Sequence, residues 1–200
     1  MTASPWPATL AHGEVTLRPL RQLDGRAWRE VRARNADWLR PWEATLPPEA
    51  ESTEDIPTFA MMVRRLRREA RQGRTLPFAI VYEGRLVGQL TLGGIAWGSL
   101  RAGYIGYWID REVAGRGIMP TAVALALDHA FDVMGLHRIE INIRPENAAS
   151  LRVVEKLGLR REGERREYLH IDGAWRDHVV YAVYRDEFAG GVLAAYLSRS

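Results

Sequence analysis

Three stretches of the sequence decide the fold: YIGYWID (residues 104–110), AGRGIMP (114–120) and RIEINI (138–143). The first and third are rich in β-branched and aromatic residues, which is typical of strands, whereas the apolar segment Met119–Met134 favours a helix. A strand, a glycine-rich turn, a helix and a second strand together form a crossover. Such a connection joins parallel strands and is nearly always right-handed. The sequence therefore predicts a parallel pair of strands at this point in the fold.

Outside this crossover, alternating apolar positions and turn residues predict the remaining elements. Further strands are predicted at Glu14–Leu20, Leu76–Tyr82, Arg85–Leu92, Leu159–Ile171 and Ala174–Tyr184. Further helices are predicted at Gln22–Arg34 and Asn147–Leu157. Another is predicted to begin at a cap formed by Ser52–Thr53 and to end at about Gln72. Glu83-Gly84 and Asp172-Gly173 are predicted hairpin turns, and Gly93-Gly94 and Gly98 mark a predicted loop. The segment Asp37–Pro48, rich in Trp and Pro, indicates a loop or a broken helix.

The chain length of 200 residues is sufficient for one domain with a sizeable core. We expect an N-terminal extension at residues 1–12, a single domain at 13–186, and a tail at 187–200 with a short helix at Val192–Leu197. The 46% hydrophobic content excludes wholesale disorder. No cysteine is present, which excludes disulfides, cysteine-ligated metals and a thiol nucleophile.

The charge and hydropathy of the chain indicate which partners and which compartment to expect. The sequence pI is about 9.5, but the formal net charge is only +3, so direct nucleic-acid binding is not predicted. The basic run Arg64–Arg74 is better explained as a solvated helix face than as a surface for ribosomal RNA. Neither a signal peptide nor an apolar stretch long enough for a membrane span is expected, and we predict a cytoplasmic protein.

The glycine-rich turn has the chemistry of a phosphate site. Gly115 and Gly117 permit close approach of the backbone, and the following helix offers N–H groups and the positive end of its dipole. The turn matches neither the P-loop pattern nor the dinucleotide fingerprint G-x-G-x-x-G, which excludes those two classes of site. Taken alone, it also fits an ordinary structural turn.

Two further motifs carry candidate side chains. In RPENAAS (144–150), Asn147 is suited to capping a helix, and Ser150 lies one turn inside that helix. In EYLHIDGAWRDH (167–178), a two-residue turn at Asp172-Gly173 places Glu167 across the ladder from His178. That pair also fits an exposed cross-strand ion pair.

Together, these motifs resemble the Gcn5-related N-acetyltransferases (GNAT), and within them the RimJ/RimL branch that acetylates the N-terminal residue of ribosomal proteins. The resemblance extends from about Val15 to Tyr184. It implies a mixed α+β fold with a mostly antiparallel, twisted sheet of about seven strands and about four flanking helices. The sheet would be splayed at the parallel fourth and fifth strands. The family's loop has Arg or Gln where this chain has Ala114, and Gly or Ala where it has Met119, so the contacts of the loop must be mainly with the backbone.

The resemblance implies acetyl-CoA as co-substrate and assigns roles to individual residues, with no metal. The catalytic residues would be Glu167 as base, acting directly or through water, His178 as its orienting group, and Ser150 as the acid that protonates the CoA thiolate. The residues that bind acetyl-CoA would be Trp108, Ile109, Gly115, Arg116, Gly117, Ile118, Met119, Asn147 and Ser150. A backbone N–H near Trp108–Ile109 would stabilise the oxyanion. Candidate acceptor contacts are Trp38, Trp42 and Tyr168, although a Trp-rich loop that only packs on the core fits equally well.

The identity of the acceptor is the open part of this prediction. The resemblance favours direct transfer to the N-terminal α-amine of a protein, ribosomal proteins above all. Small amines such as aminoglycosides, polyamines or amino-acid-like toxins are the alternative. A third alternative, from a different functional class, is a non-catalytic module that binds acyl-CoA or the ribosome. Either a monomer or a homodimer is compatible with the resemblance.

Overall fold

The computed structural model describes residues 5–50 and 58–199, and within them eight strands form one sheet in the order β1-β2-β3-β4-β5-β6-β8-β7. Every neighbouring pair is antiparallel except β5 and β6, which are parallel. The strands are β1 (Leu10–His12), β2 (Val15–Pro19), β3 (Leu76–Tyr82), β4 (Arg85–Ala96), β5 (Ala102–Ile109), β6 (Arg138–Ile143), β7 (Arg160–Ile171) and β8 (Ala174–Tyr184). The mixed fold predicted from the sequence, with its parallel pair, is confirmed.

Helices cover both faces of this sheet. They are α1 (Gly25–Arg34), α2 (Ala36–Leu39), α3 (Phe59–Arg71), α4 (Ile118–Asp128), α5 (Ala148–Lys156) and α6 (Val192–Leu197). A single π-helical turn at His129–Val133 continues α4. In the described part of the chain, none of the helices is both long and apolar enough to cross a membrane.

The strands differ from the prediction at two places. Leu10–His12, inside the segment expected to be an extension, pairs with β2 at the edge of the sheet. Three residues are too few to show an alternating pattern. The predicted loop is present at Gly98, but its start at Gly93-Gly94 is wrong, because β4 continues through both glycines to Ala96 with a bulge. The ring of Tyr104 explains the glycines, since a Cβ on Gly94 would lie 2.5 Å from one of its carbons.

The predicted helices are present with shifted starts. Helix α1 begins at Gly25 rather than at Gln22, which instead starts a short 3-10 turn. Ser52–Thr53, the predicted cap of the next helix, lies outside the described residues. Thr58 caps α3, because its hydroxyl accepts a 3.3 Å hydrogen bond from the Met61 N–H. The Trp-rich segment forms α2 and a 3-10 turn at Arg40–Trp42, in agreement with a broken helix.

The hydrophobic core lies on both sides of β3. Phe78 and Ile80 point to one face, where they join a large cluster with residues of α4 such as Val123. Ala79 points to the opposite face, where it packs in a smaller cluster that includes Val63 of α3. This alternation follows from the period of two along a strand. The sheet is thus the middle layer of a three-layer sandwich.

The parallel strands β5 and β6 separate soon after they begin. They pair only from Ala102–Tyr104 to Arg138–Glu140, although β5 continues to Ile109 and β6 to Ile143. The bulge in β4 lies beside Tyr104, and a bulge increases the local twist of a sheet. Beyond Tyr104 the two strands therefore form the sides of a V that opens toward the glycine-rich turn.

Candidate active site

A cavity of about 410 Å³ lies beside β5, at the end of the strand that has separated from β6. Its walls come from four parts of the chain: the end of α1 with the Trp-rich segment, strands β4 and β5, the glycine-rich turn with the start of α4, and helix α5. Of the residues predicted to bind a cofactor, it brings together Trp108, Ile109, Gly115, Gly117, Ile118, Met119, Asn147 and Ser150.

The glycine-rich turn forms the end of the cavity at the start of α4. Gly115 has a φ of 85° and Gly117, the N-cap of α4, a φ of 81°, both in the left-handed region that favours glycine. A Cβ on Gly115 would meet no atom within 4 Å, so its backbone is open to a bound group. The N–H groups at this helix start can hold a phosphate. The Arg116 side chain instead turns back to the Glu112 carbonyl, 3.3 Å away, and does not line the cavity.

Strand β5 presents backbone N–H groups to the V. The Asp110 N–H donates a 2.7 Å hydrogen bond to the Val87 carbonyl, so it points toward β4. Successive N–H groups of a strand alternate in direction, so that of Trp108 also points toward β4, whereas those of Tyr107 and Ile109 point toward the V. The Ile109 N–H is therefore the better placed of the two groups near the predicted oxyanion position.

Helix α5 supplies the polar side chains on the opposite wall. The Asn147 side chain caps the helix, because its Oδ1 accepts a 3.1 Å hydrogen bond from the Ser150 N–H. The Tyr107 hydroxyl lies beside Ser150 and is fully buried, and this burial raises the pKa of Tyr107 above its usual value. Tyr107 consequently remains a hydrogen-bond donor next to the serine hydroxyl.

The β7–β8 hairpin has a different register from the predicted one. Arg165 pairs with His178 and Leu169 with Arg176, so that Arg166, Glu167 and Tyr168 bulge opposite Asp177. The prediction that Glu167 lies across from His178 is wrong. A local alternating pattern does not reveal a bulge of this size.

The bulge also sets where these side chains lie. Glu167 has a φ of 47°, its N–H donates a 2.7 Å hydrogen bond to Asp177 Oδ1, and its side chain is exposed. Tyr168 packs edge-on against the buried His178 ring, with centroids 5.4 Å apart. Burial lowers the pKa of His178, and the hydrogen bond to the Arg176 carbonyl opposes this only in part. None of Glu167, Tyr168 and His178 lines the cavity.

The Trp-rich segment forms the remaining wall, and both predicted tryptophans line the cavity. The guanidinium of Arg111 lies 5.5 Å from the ring centroid of Trp38, and that of Arg144 lies 5.4 Å from the centroid of Trp42. The two rings are therefore held by arginines of the same chain through cation–π contacts.

Between the tryptophans and β5, the structure reveals an ion pair that the sequence did not predict. Arg32 is paired with Glu43, and both side chains line the cavity. The Arg32 guanidinium also lies 5.4 Å from the ring centroids of both Trp28 and Trp108. No local motif marks this pair, because its members come from α1 and from the segment after α2.

Arg152 and Lys156 of α5 also line the cavity and were missed. They lie four residues apart and so share one face of α5, but they are two and six residues from Ser150, so helical spacing from that residue does not indicate them. The cavity wall thus carries three cationic side chains and, among the described residues, one carboxylate, that of Glu43. Within the described ranges, no group of three or more His, Asp or Glu side chains is arranged to hold a metal ion.

With this geometry established, comparison with known proteins places the chain in a family. Residues 14–160 match the family described as acetyltransferase (GNAT) domain, and the chain belongs to this family. It is an acetyltransferase of the RimJ/RimL type, because its relatives within the family include named ribosomal-protein acetyltransferases.

Three relatives are informative. The solved structure of Mycobacterium smegmatis RimJ in complex with CoA-disulfide is 38% identical, with a TM-score of 0.89, and covers 97% of this chain and 95% of that one. The [ribosomal protein uS5]-alanine N-acetyltransferase of Escherichia coli is 30% identical over 173 residues, which are 84% of this chain and 87% of that protein. The probable N-acetyltransferase YjcK of Bacillus subtilis is 44% identical over 101 residues, only 50% of this chain and 56% of that protein.

Proposed function

We propose that this protein transfers the acetyl group of acetyl-CoA directly to the N-terminal α-amine of a protein. The observation that carries the proposal is the cavity itself. It joins a glycine-lined helix start, a splayed β5 edge and a hydroxyl on α5 to a separate wall of Trp, Arg and Glu side chains. The similarity to RimJ and to the uS5-alanine acetyltransferase supports a protein N-terminus, with ribosomal proteins as the first candidates.

The residues of the phosphate end fit the pyrophosphate of CoA. Backbone N–H groups of Gly115–Met119 would bind it at the positive end of the α4 dipole. Arg152 and Lys156 add positive charge on the neighbouring wall, while Arg116 faces Glu112. The acetyl group supplies the electrophilic carbonyl, and the Ile109 N–H is the donor best placed to stabilise negative charge on its oxygen.

Proton transfers complete the reaction. Ser150, beside the buried Tyr107 hydroxyl, would protonate the sulfur of the departing CoA. The attacking amine must lose a proton, and two carboxylates are candidates for receiving it. Glu167 is the one that the family pattern implies, with His178 near it, whereas Glu43 is the one on the cavity wall.

The charges of the cavity favour a single ammonium group as acceptor over a polyamine. A polyamine carries two or more positive charges, and burying them requires matching carboxylates. The described wall offers only Glu43, which is already paired with Arg32. Trp38 and Trp42 already make cation–π contacts with Arg111 and Arg144. A peptide N-terminus, with one charge, suits this wall.

An acceptor panel tests the proposal. Purified protein is incubated with acetyl-CoA and a short peptide that begins with Ala or Ser, and release of free CoA thiol is followed. The same peptide with a blocked N-terminus is the matched control, and spermidine and an aminoglycoside represent small amines. We expect turnover with the free peptide alone. Turnover only with a small amine overturns the protein acceptor, and absence of any turnover with CoA still bound supports a non-catalytic binding module.

A further inference from the structure

We propose that Glu43 binds the ammonium group of the acceptor and takes up its proton during acetyl transfer, with Arg32 as the residue that positions it. This inference rests on the proposed function and deepens it, because it assigns the acceptor end of the same cavity. The carboxylate contacts Arg32, whose guanidinium lies 5.4 Å from the ring centroid of Trp108 on β5. Arg32 therefore connects Glu43 to β5, the strand whose edge faces the V.

The first argument is the composition of the wall. Of the described residues that line the cavity, Glu43 is the only carboxylate, and none is a histidine. Carboxylates and imidazoles are the side chains that most often act as bases near neutral pH. Glu167, the base implied by the family pattern, is exposed on a bulge that does not line the cavity. The wall therefore presents one group with the right chemistry.

The second argument is that the chain is fixed on both sides of Glu43. Before it, Arg144 donates a 2.7 Å hydrogen bond to the Pro41 carbonyl and lies over the Trp42 ring.

After Glu43, the chain is held by the β7–β8 hairpin. Ala44 forms a β-bridge with Ile171, and the Thr45 N–H donates a 2.9 Å hydrogen bond to the His170 carbonyl. The Thr45 hydroxyl and His170 Nδ1 are also 2.8 Å apart. Anchoring of this kind preorganises a side chain for catalysis.

The third argument is the position of Arg32. Its guanidinium lies 5.4 Å from the ring centroids of both Trp28 and Trp108, and the Trp28 indole N–H donates a 3.0 Å hydrogen bond to Gln89 Oε1. Arg32 is held in place by aromatic contacts, and its ion pair is made with Oε1 of Glu43. We therefore assign Oε2 to the acceptor nitrogen. An ammonium there would have Glu43 as its counter-ion and Arg32 as a barrier to a second cation.

Acetyl transfer begins when the bound ammonium gives one proton to Glu43, which passes it to solvent, because the nitrogen needs a free lone pair to attack. The acceptor nitrogen forms the C–N bond to the acetyl carbonyl carbon, and the C–S bond to CoA breaks. The nitrogen then loses a second proton to Glu43, since a nitrogen that has donated its lone pair to a carbonyl carbon becomes more acidic. The departing sulfur takes a proton from Ser150, and water then returns a proton to the Ser150 oxygen. Glu43 returns its proton to solvent before the next turnover, and no oxidant or further reactant is needed.

The test replaces Glu43 with Gln, which keeps the size of the side chain but cannot accept the proton. We expect kcat/KM for the peptide acceptor to fall about 100-fold while the dissociation constant for CoA, measured by calorimetry, stays at the wild-type value. The deficit should shrink from about pH 7 to about pH 9, because an α-amine with a pKa of about 7.7–8.0 is already neutral there. Glu43→Asp should restore part of the activity.

Two variants provide the comparison. Glu49→Gln makes the same exchange at an exposed residue of the same segment and should behave as wild type. Glu167→Gln tests the rival carboxylate. Wild-type kcat/KM in Glu43→Gln overturns the inference, as does a deficit that is equal at all pH values and that Asp does not rescue. If the wild-type protein acetylates only a small amine, the proposed acceptor fails, and the same variants assayed with that amine still test Glu43.

Discussion

The Asn35 side-chain amide donates a 2.8 Å hydrogen bond to Oδ1 of Asp110, and so links the end of α1 to the end of β5. Asp110 is almost fully buried and also pairs with Arg34, while Asn35 Oδ1 accepts a 3.0 Å hydrogen bond from the Arg111 N–H. Burial opposes ionisation of Asp110, but the hydrogen bonds from Arg34 and Asn35 outweigh it and lower its pKa. This network fixes the chain just before the glycine-rich turn.

Replacing Asp110 with Asn should therefore destabilise the protein. The variant leaves the half-exposed Arg34 without its carboxylate and removes one acceptor oxygen from the network, so we expect a loss of about 1–2 kcal/mol in the free energy of unfolding. Urea denaturation measures this loss. Glu112→Gln, two residues away and exposed, is the control and should stay within about 0.5 kcal/mol of wild type. Equal stabilities of the two variants would show that the network contributes little.

Replacing Gly115 with Ala should weaken CoA binding about tenfold. The new methyl group would enter open space where we place the pyrophosphate, and a tenfold loss of affinity corresponds to about 1.4 kcal/mol. Calorimetric titration with CoA measures the effect. Gly84→Ala is the matched control, because Gly84 also has a positive φ and open surroundings but lies in the β3–β4 turn. Unchanged affinity in Gly115→Ala would place the phosphates elsewhere.

Replacing Ser150 with Ala should lower kcat by about 10- to 100-fold without loss of acetyl-CoA affinity. The helix cap survives in this variant, since Asn147 binds the backbone N–H of residue 150 and not its hydroxyl. Steady-state kinetics and calorimetry separate the two quantities, with the exposed Ser99→Ala as control. A variant with the kcat of wild type would remove Ser150 from the proton transfer.

Stability should decrease as the pH falls through about 6.5. Burial lowers the pKa values of His129 and His178 from 6.5, so the unfolded chain binds these protons at a higher pH than the folded protein. When the unfolded state holds more protons, acidification favours unfolding. Urea denaturation between about pH 7.5 and about pH 5.5 measures the slope, which His178→Asn should reduce. A stability that rises on acidification through this range would contradict the burial of both rings.

The sequence predicts those parts of the fold that local patterns encode. The crossover from Tyr104 to Ile143 and the turn at Asp172-Gly173 follow from alternation, glycine positions and helical spacing, and all are present. The bulge at Glu167 was missed because it depends on contacts with Asp177 that no local pattern shows.

The candidate site likewise has one part that local sequence patterns predict and one part that they do not. The proposed CoA end lies in contiguous motifs around Gly115 and Ser150, and these residues are predictable one motif at a time. The proposed acceptor end is not, because Arg32, Glu43 and Trp108 come together only when α1, the Trp-rich segment and β5 pack against each other. Residues that meet only through tertiary packing show no regular spacing in the sequence.

The central claim is most directly tested by mass spectrometry of a peptide acceptor. A peptide that begins with Ala and contains an internal Lys is incubated with the protein and acetyl-CoA labelled in the acetyl group. We predict one label per peptide, located on the α-nitrogen, with release of an equal amount of CoA. An unlabelled α-nitrogen, with the label on the lysine side chain or on a small amine instead, would contradict N-terminal acetyl transfer.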